Sequence, residues 1–293
     1  MLKNKEVEMA TFFNQASLSY GGNVVNSNVT EAELLSGLEL TKTAITASYT
    51  AGSSIVYAIT VSNMGGSAYN PLTITDDLGA YTLPSGTLAV PLSYVDGSML
   101  YYLNGVLQTA PTVTTLGNLT IEGINLPANS TATFIYEVTA NEFAPLSAGS
   151  VITNTASTDG GVGIGEITDT ATVSAGEAPS LTIAKAVCPA VINDNDTLTY
   201  TIIVQNLGNV PIVATDGVIV SDVFNPVLSG ITVELNGTAL EEGTGYTYNT
   251  VTGEFATADG VITVPSATYV QDPDTGTITK TPGVTVLTVT GTV

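Results

Sequence analysis

The chain has 293 residues, 44 % of them hydrophobic but only 6 % aromatic, with no tryptophan, histidine or arginine. Its 26 acids against five lysines leave a net charge of −21, which excludes a nucleic-acid partner and argues against anionic lipid heads. Without histidine, Cys/His zinc sites, Ser-His-Asp triads and Cys-His dyads cannot be built, and the single Cys188 allows no disulfide within the chain.

The length suits two domains. Thr, Val, Ile, Ser and Gly dominate, a composition typical of β-sandwiches. No run of 18 apolar residues spans a membrane. The start, MLKNKEVEMATFF, lacks the apolar core of a secretory signal, so the route of export is open, and Met1 and Met9 are both candidate initiators. No phosphate loop or other cofactor motif occurs, and no cofactor is expected.

In chain order, Thr11–Val29 alternates as two short strands around Gly21-Gly22, a hairpin signal. Residues 30–37 read as a connector. Val29–Leu40 is the best candidate for helical periodicity, at one or two turns. Domain 1, over residues 31–175, begins with the strand Leu38–Ala44. Next comes Ala51–Asn63, with Ile55, Tyr57, Ile59 and Val61 on one face at period two. Leu72–Leu78 follows, then an Asn104-Gly105 hairpin and the strand Thr131–Thr139. Val151–Ser157 and Ile167–Ser174 close the domain.

Residues 176–180 form a linker, and the pattern restarts for domain 2 over 181–293. Leu181–Val187 matches Leu38–Ala44. Asp196–Asn206 matches Ser53–Asn63, Val220–Val223 matches Ile74–Asp77, Leu235–Thr238 echoes Leu103–Val106, and Val284–Thr290 matches Thr131–Thr139. Residues 241–282 read as added hairpins with turns near Asn249–Gly253 and Asp272–Gly276.

One repeat is displaced. Asn14-Gln15-Ala16-Ser17 matches Asn154-Thr155-Ala156-Ser157 of the closing hairpin, yet it lies in residues 1–30, ahead of both domains. Asn14 precedes Lys42 by 28 residues and Asn154 precedes Lys185 by 31. Domain 2 stops short of a comparable closing strand. The expectation is an N-terminal donor hairpin that completes the second domain of a neighbour. Phe12, Phe13, Asn14, Ala16, Leu18 and Tyr20 are the candidate polymerisation residues. Such a contact is heterologous and builds rings or open fibres. The alternative is that the hairpin folds back on its own chain.

The pattern L-x-x-x-K, G-x-x-x-x-Y-x-I-x-V-x-N-x-G, T-D, N-x-A is carried by Leu38, Lys42, Tyr57, Asn63, Gly65, Asp76 and Asn154–Ala156. In the second copy Leu181, Lys185, Tyr200, Asn206, Gly208 and Asp222 carry it. It resembles the bacterial surface repeat of the domain-of-unknown-function-eleven type. The resemblance implies two tandem immunoglobulin-like β-sandwich domains of a cell-surface protein. From Met9 onward the chain also resembles appendage-like subunits of spore-forming Clostridia. That resemblance implies a spore or cell-surface appendage outside the cell.

Two of the five lysines hold the same place in the two first strands, and Asn14 and Asn154 hold the same place in the two closing hairpins. First and last strands of such sandwiches are neighbours. A buried lysine loses its charge and becomes nucleophilic. The arrangement resembles the spontaneous isopeptide bonds of Gram-positive pilins and collagen adhesins. Lys42–Asn154 would be internal, with Asp76 or Glu137 as the assisting acid. Lys185–Asn14 would be intermolecular, with Asp222. The alternative is that the lysines reach solvent and the asparagines hydrogen-bond a turn.

Asn193–Asp196 and Asp272–Asp274 offer oxygen atoms but no complete calcium loop, so no metal site is expected. Cys188 is expected to be a small buried residue. The functional expectation is a non-enzymatic, self-polymerising filament subunit whose partner is itself, with a monomeric adhesin-like binding module as the alternative.

Overall fold

The computed structural model describes residues 9–35, 37–160, 165–193 and 195–293, with side chains described from residue 11 and not for residues 33–35. Met1–Glu8 of the expected hairpin and Asp194 of the weighed calcium turn lie outside the described residues. The fold is all-β. Among the described residues there is no α-helix, only a 3-10 turn at Ala214–Asp216, and no helix long and apolar enough to cross a membrane. The chain divides into two compact units, the first with the residues up to Pro145, Val151–Ser174 and Pro273–Gly276, the second with Leu146–Ser150, Ala175–Asp272 and Thr277–Val293.

The N-terminal segment is a long hairpin. β1 (Met9–Asn14) pairs with β4 (Thr30–Leu35), and β2 (Ser17–Tyr20) pairs with β3 (Asn23–Asn26) around a turn in which Gly21 and Gly22 both have positive φ. Only glycine takes two such positions at little cost. The connector expected over 30–37, and the helical periodicity over Val29–Leu40, are therefore corrected. Residues 30–35 pair along the backbone with the other arm of the ribbon, and Leu38–Ala44 is a strand of the first unit. All residues from Thr11 to Ala32 are exposed.

In the first unit, β5 (Leu38–Ala44), β6 (Ser54–Asn63) and β9 (Ser130–Ala140) form one sheet with the Leu100–Leu103 and Val106–Gln108 hairpin. That hairpin turns at Asn104-Gly105, both at positive φ, as the sequence predicts. The second sheet contains β7 (Tyr69–Asp76), β8 (Leu119–Leu126), β10 (Val151–Asp159) and β11 (Glu166–Ala175), in the order β8-β7-β10-β11. Period-two alternation sends Leu40, Ile55, Tyr57, Ile59, Phe134 and Tyr136 into the core from the first sheet. Ile74, Ile121, Ile152 and Val173 enter from the second.

In the second unit, β12 (Leu181–Cys188), β13 (Thr197–Asn206), β18 (Gly283–Thr292) and β15 (Ser229–Leu235) form a sheet in the order β12-β13-β18-β15, ending in Thr238–Leu240. A smaller sheet has the order β14 (Ser221–Val223), β17 (Glu254–Thr257), β16 (Tyr246–Tyr248). Phe224 stacks on Tyr200 at 4.9 Å between ring centroids and meets Phe255 at 5.6 Å, joining the two sheets. The expected added hairpins occur at residues 246–257 and 268–281.

The Asn-x-Gly motif has a structural role in both units. Asn63 accepts from the Gly65 amide and donates to the carbonyls of Ser67, Leu126 and Pro127. Asn206 accepts from Gly208 and Ser180 and donates to Val210. Each caps the end of a core strand with bonds that would otherwise be lost in a buried turn.

Candidate functional site

Alternation along β5 fixes the first site. Leu38, Leu40 and Lys42 fall on one face, so the strand that buries two leucines buries the lysine with them, leaving it 5 % exposed. Burying an ammonium costs several kcal/mol unless it is paired. The pairing comes from Asp76 at the end of β7, which forms an ion pair with Lys42 Nζ through Oδ2. Lys42 Nζ also donates to the Tyr136 hydroxyl at 2.8 Å, and that hydroxyl donates to the same Asp76 oxygen. The ammonium lies 4.7 Å from the Tyr57 ring centroid and 5.5 Å from that of Tyr136. The second Asp76 oxygen accepts from the Leu78 amide at 2.9 Å.

Burial lowers the Lys42 pKa, against the opposing pull of Asp76, and raises those of Tyr57 and Tyr136. All three shifts favour neutral groups. A neutral amine is the nucleophilic form of lysine.

The closing hairpin supplies the fourth member. Ala156 of β10 pairs directly with Asp76, and Asn154 is its neighbour on the same buried face. Asn154 is fully buried, and neither its amide nitrogen nor its oxygen completes a hydrogen bond of normal geometry. Its amide is a neighbour of the Tyr57 and Tyr136 hydroxyls. A buried amide left unpartnered costs about 1–3 kcal/mol. The hairpin is clamped around it. Asp77 accepts from the Thr155 amide at 2.8 Å and donates its own amide to the Thr155 carbonyl at 2.9 Å. From β11, Asp169 accepts the Lys42 backbone amide at 2.8 Å.

Glu137 is not part of this group. It follows Tyr136 on β9, so it points to the other face, where it accepts a hydrogen bond from the Ser54 hydroxyl. The reading of Glu137 as an assisting acid is corrected on this ground. The solvent-reaching alternative for Lys42 is also removed by its burial.

The second unit holds a related but open arrangement. Lys185 pairs in register with Ile202, as Lys42 does with Ile59. It ion-pairs with Asp222 of β14 and lies 4.3 Å from the Tyr200 ring centroid and 5.1 Å from that of Phe224. Here the lysine side chain is 39 % exposed, and its same-face neighbours Leu181, Ile183 and Val187 are exposed as well. β14 pairs with β17 on one side, and among the described residues no strand pairs with its other side. Register places Val289 opposite Tyr200, where Tyr136 stands opposite Tyr57, so the second site has no tyrosine hydroxyl at that position. Cys188, expected to be buried, ends this uncovered strand and is exposed.

No protein-family model matches the chain, and no curated protein matches it in sequence. Solved structures give weak likenesses. A fragment of the major pilin of Streptococcus agalactiae is 12 % identical, over 84 % of this chain and 91 % of that one, with a TM-score of 0.35. The pilus backbone protein of Streptococcus pneumoniae is 11 % identical, over 84 % and 55 %, at 0.32. The collagen-binding subdomain of an Enterococcus faecalis surface protein is 9 % identical, over 46 % and 95 %, at 0.29. At these values the likeness says nothing about activity or partner.

Of the residues marked from sequence, Lys42, Asp76 and Asn154 come together, as do Lys185 and Asp222. Asn14 lies on the exposed hairpin, paired with Thr30. Phe12, Phe13, Leu18 and Tyr20 are all more than half exposed, and Ala16 is exposed beside them. Tyr57 and Tyr136 were not marked as site residues. Their signal was present as two tyrosines on inward faces of matched core strands.

Proposed function

We propose that this chain is a structural subunit of an extracellular surface filament, pilus-like or a spore appendage, that polymerises with copies of itself. The hairpin over residues 9–35 is the donor and the second unit of the next subunit is the acceptor. The observation that carries this reading is the uncovered first strand of the second unit. Leu38 and Leu40 are buried under the closing hairpin, whereas the matched Leu181 and Ile183 are 40 % and 63 % exposed. The hairpin with the matching Asn-x-Ala-Ser sequence is itself exposed at every residue from Thr11 to Ala32 and carries apolar side chains that a folded domain ordinarily covers. The chemistry is self-modification without turnover. Within the first unit, neutral Lys42 Nζ attacks Asn154 Cγ, Asp76 relays the proton, and ammonia leaves, which gives an internal amide cross-link.

Negative-stain microscopy of the purified chain, with and without residues 1–29, tests the assembly. Filaments are expected from the full chain and none from the shortened one. Filaments in both samples overturn strand donation, and monomers in both favour a surface binding module. Intact mass tests the internal bond: the chain should weigh one ammonia less than its sequence, and the Asn154→Ala chain should show no deficit.

A further inference from the structure

The structure contains a finished and an unfinished version of the same arrangement, and the finished one prescribes what the other lacks. In the first unit the strand beside Asp76 has a defined register: Ala156 opposite Asp76, Ser157 opposite Thr75, Thr158 opposite Ile74. The matched acceptor residues in the second unit are Asp222 and Ser221 of β14, with Val220 just before it, and one side of β14 is paired with no described strand. The matched donor residues are Ala16, Ser17 and Leu18. Transferring the register sets Ala16 opposite Asp222 and brings Asn14 to the position that Asn154 holds beside Lys42.

We propose that the Lys185–Asp222 pair is a latent cross-linking site whose substrate is Asn14 of a second copy of this chain, seated with Ala16 opposite Asp222, and that it reacts only once that strand has covered it. This rests on the strand donation proposed above.

Three observations select this occupant. On β10 the buried residues are Ile152, Asn154, Ala156 and Thr158. The matched donor set is Phe12, Asn14, Ala16 and Leu18, so one face presents two large apolar groups and the reacting amide. The acceptor presents Leu181, Ile183 and Val187, each at least 40 % exposed. Finally, Thr11–Val29 contains no charged residue in a chain of net charge −21. An uncharged strand adds to an acidic neighbour without bringing like charges together.

The gating follows from exposure. In the single chain the Lys185 side chain is 39 % exposed and that of Asp222 19 %, so water reaches the lysine and competes for its ion pair. A strand laid over the pair removes that water. The ammonium proton then moves to the Asp222 carboxylate, which leaves both groups neutral. Lys185 Nζ attacks Asn14 Cγ while the Asp222 carboxyl polarises the amide oxygen. The Nζ–Cγ bond forms, the Cγ–Nδ2 bond breaks, and the proton given up by Nζ leaves with Nδ2 as ammonia. No oxidant or cofactor enters the balance. Register puts Val289 where Tyr136 stands, so Asp222 performs the transfer without a tyrosine hydroxyl.

Two full-length variants test the site by complementation. Asn14→Ala keeps the acceptor lysine and Lys185→Ala keeps the donor asparagine. Each alone should assemble into filaments that dissolve to monomers in hot SDS. Their mixture should yield a covalent dimer, one ammonia lighter than the sum, with a Lys185–Asn14 branched peptide on digestion. Filaments in the mixture without that dimer overturn the cross-link and leave strand donation standing. A branch at another residue overturns the register. A wild-type chain that forms no filaments overturns the assembly beneath both. For the gating, acetic acid N-hydroxysuccinimide ester should acetylate Lys185 in unassembled wild-type chains and not in filaments. Protection of Lys185 before assembly overturns the gating.

Discussion

Lys42 and Lys185 occupy the same register position in the same kind of strand, yet one is sealed in a core and the other stands at a surface. Apolar content does not explain the difference: LELTKTA has three apolar residues, and the exposed LTIAKAV has five. What differs is the neighbour. The closing hairpin lies over the first lysine and, among the described residues, nothing comparable lies over the second. The electrostatics of a lysine is thus set by a strand more than 100 residues away, because burial decides whether charge is tolerated.

The largest break in this comparison comes from the acids. Asp76→Ala leaves the Lys42 ammonium unpaired in the core and prevents the internal bond. A loss of about 3–5 kcal/mol is expected, read as a lower denaturant midpoint of the first unit. Asp222→Ala removes the partner of a solvated lysine and should cost under about 1 kcal/mol in the unassembled chain. Equal losses would mean that the two sites are equally buried in solution, and the contrast would fall.

The next contrast is apolar. Leu40→Ala should cost about 2–5 kcal/mol, as deletion of a wholly buried leucine does. Ile183→Ala, at 63 % exposure, should cost within about 0.5 kcal/mol in the free chain and instead raise the concentration needed for filaments. An Ile183 variant that unfolds the unassembled second unit would show that its first strand is already covered.

These contrasts also show where sequence reading reached and where it stopped. Period-two patterns and the Asn104-Gly105, Asn236-Gly237 and Gly21-Gly22 turns located the strands, because alternation and positive φ are local properties. The pairing of Lys42 with Asp76 was legible because both recur in a second copy at similar spacing, 34 residues in the first and 37 in the second. Glu137 was misplaced because neighbouring residues on a strand face opposite ways, and a charge adjacent to a site in sequence is turned away from it in space. Tyr136 was missed because its hydroxyl meets Lys42 and Asp76 only when strands distant in sequence are packed together. Cys188 was misread because cysteine is usually buried, a preference that an uncovered edge strand overrides. The run from Thr30 to Leu35 passed for a connector because its partner strand lies on the far arm of the same hairpin.

Alkaline pH separates the units by a smaller effect. In the first unit burial raises the Tyr57 and Tyr136 pKa values above the ordinary 10.0. Above about pH 10 the unfolded chain loses these protons while the folded chain keeps them. Stability then falls, by about 1.4 kcal/mol per pH unit for each tyrosine. Lys42 acts with the opposite sign. Its lowered pKa means that the folded chain releases its proton first, so stability rises with pH until the unfolded lysine also titrates, near 10.5. Once Lys42 is an amide this offset disappears. The Asn154→Ala chain should therefore lose stability less steeply near pH 10 than the wild type does. The same slope in both would mean that Lys42 titrates in both, and that no amide has formed.

The smallest predicted change isolates the hydroxyl of Tyr57. That hydroxyl is buried and has no hydrogen-bond partner of normal geometry, while the ring stacks with Tyr136 at 6.0 Å between centroids and lies beside the Lys42 ammonium. Tyr57→Phe keeps the ring and removes only the unpartnered oxygen. Thermal denaturation should show no loss, or a gain of up to about 1 kcal/mol, since an unmet buried hydroxyl is a cost and not a bond. The companion change Tyr136→Phe removes a hydroxyl that bridges Lys42 and Asp76 and should destabilise by about 1.5–3 kcal/mol, the range for hydrogen bonds to charged groups. If Tyr57→Phe costs as much as Tyr136→Phe, the Tyr57 hydroxyl is holding the Asn154 amide. Asn154 would then be a satisfied core residue, and the internal cross-link would lose its substrate.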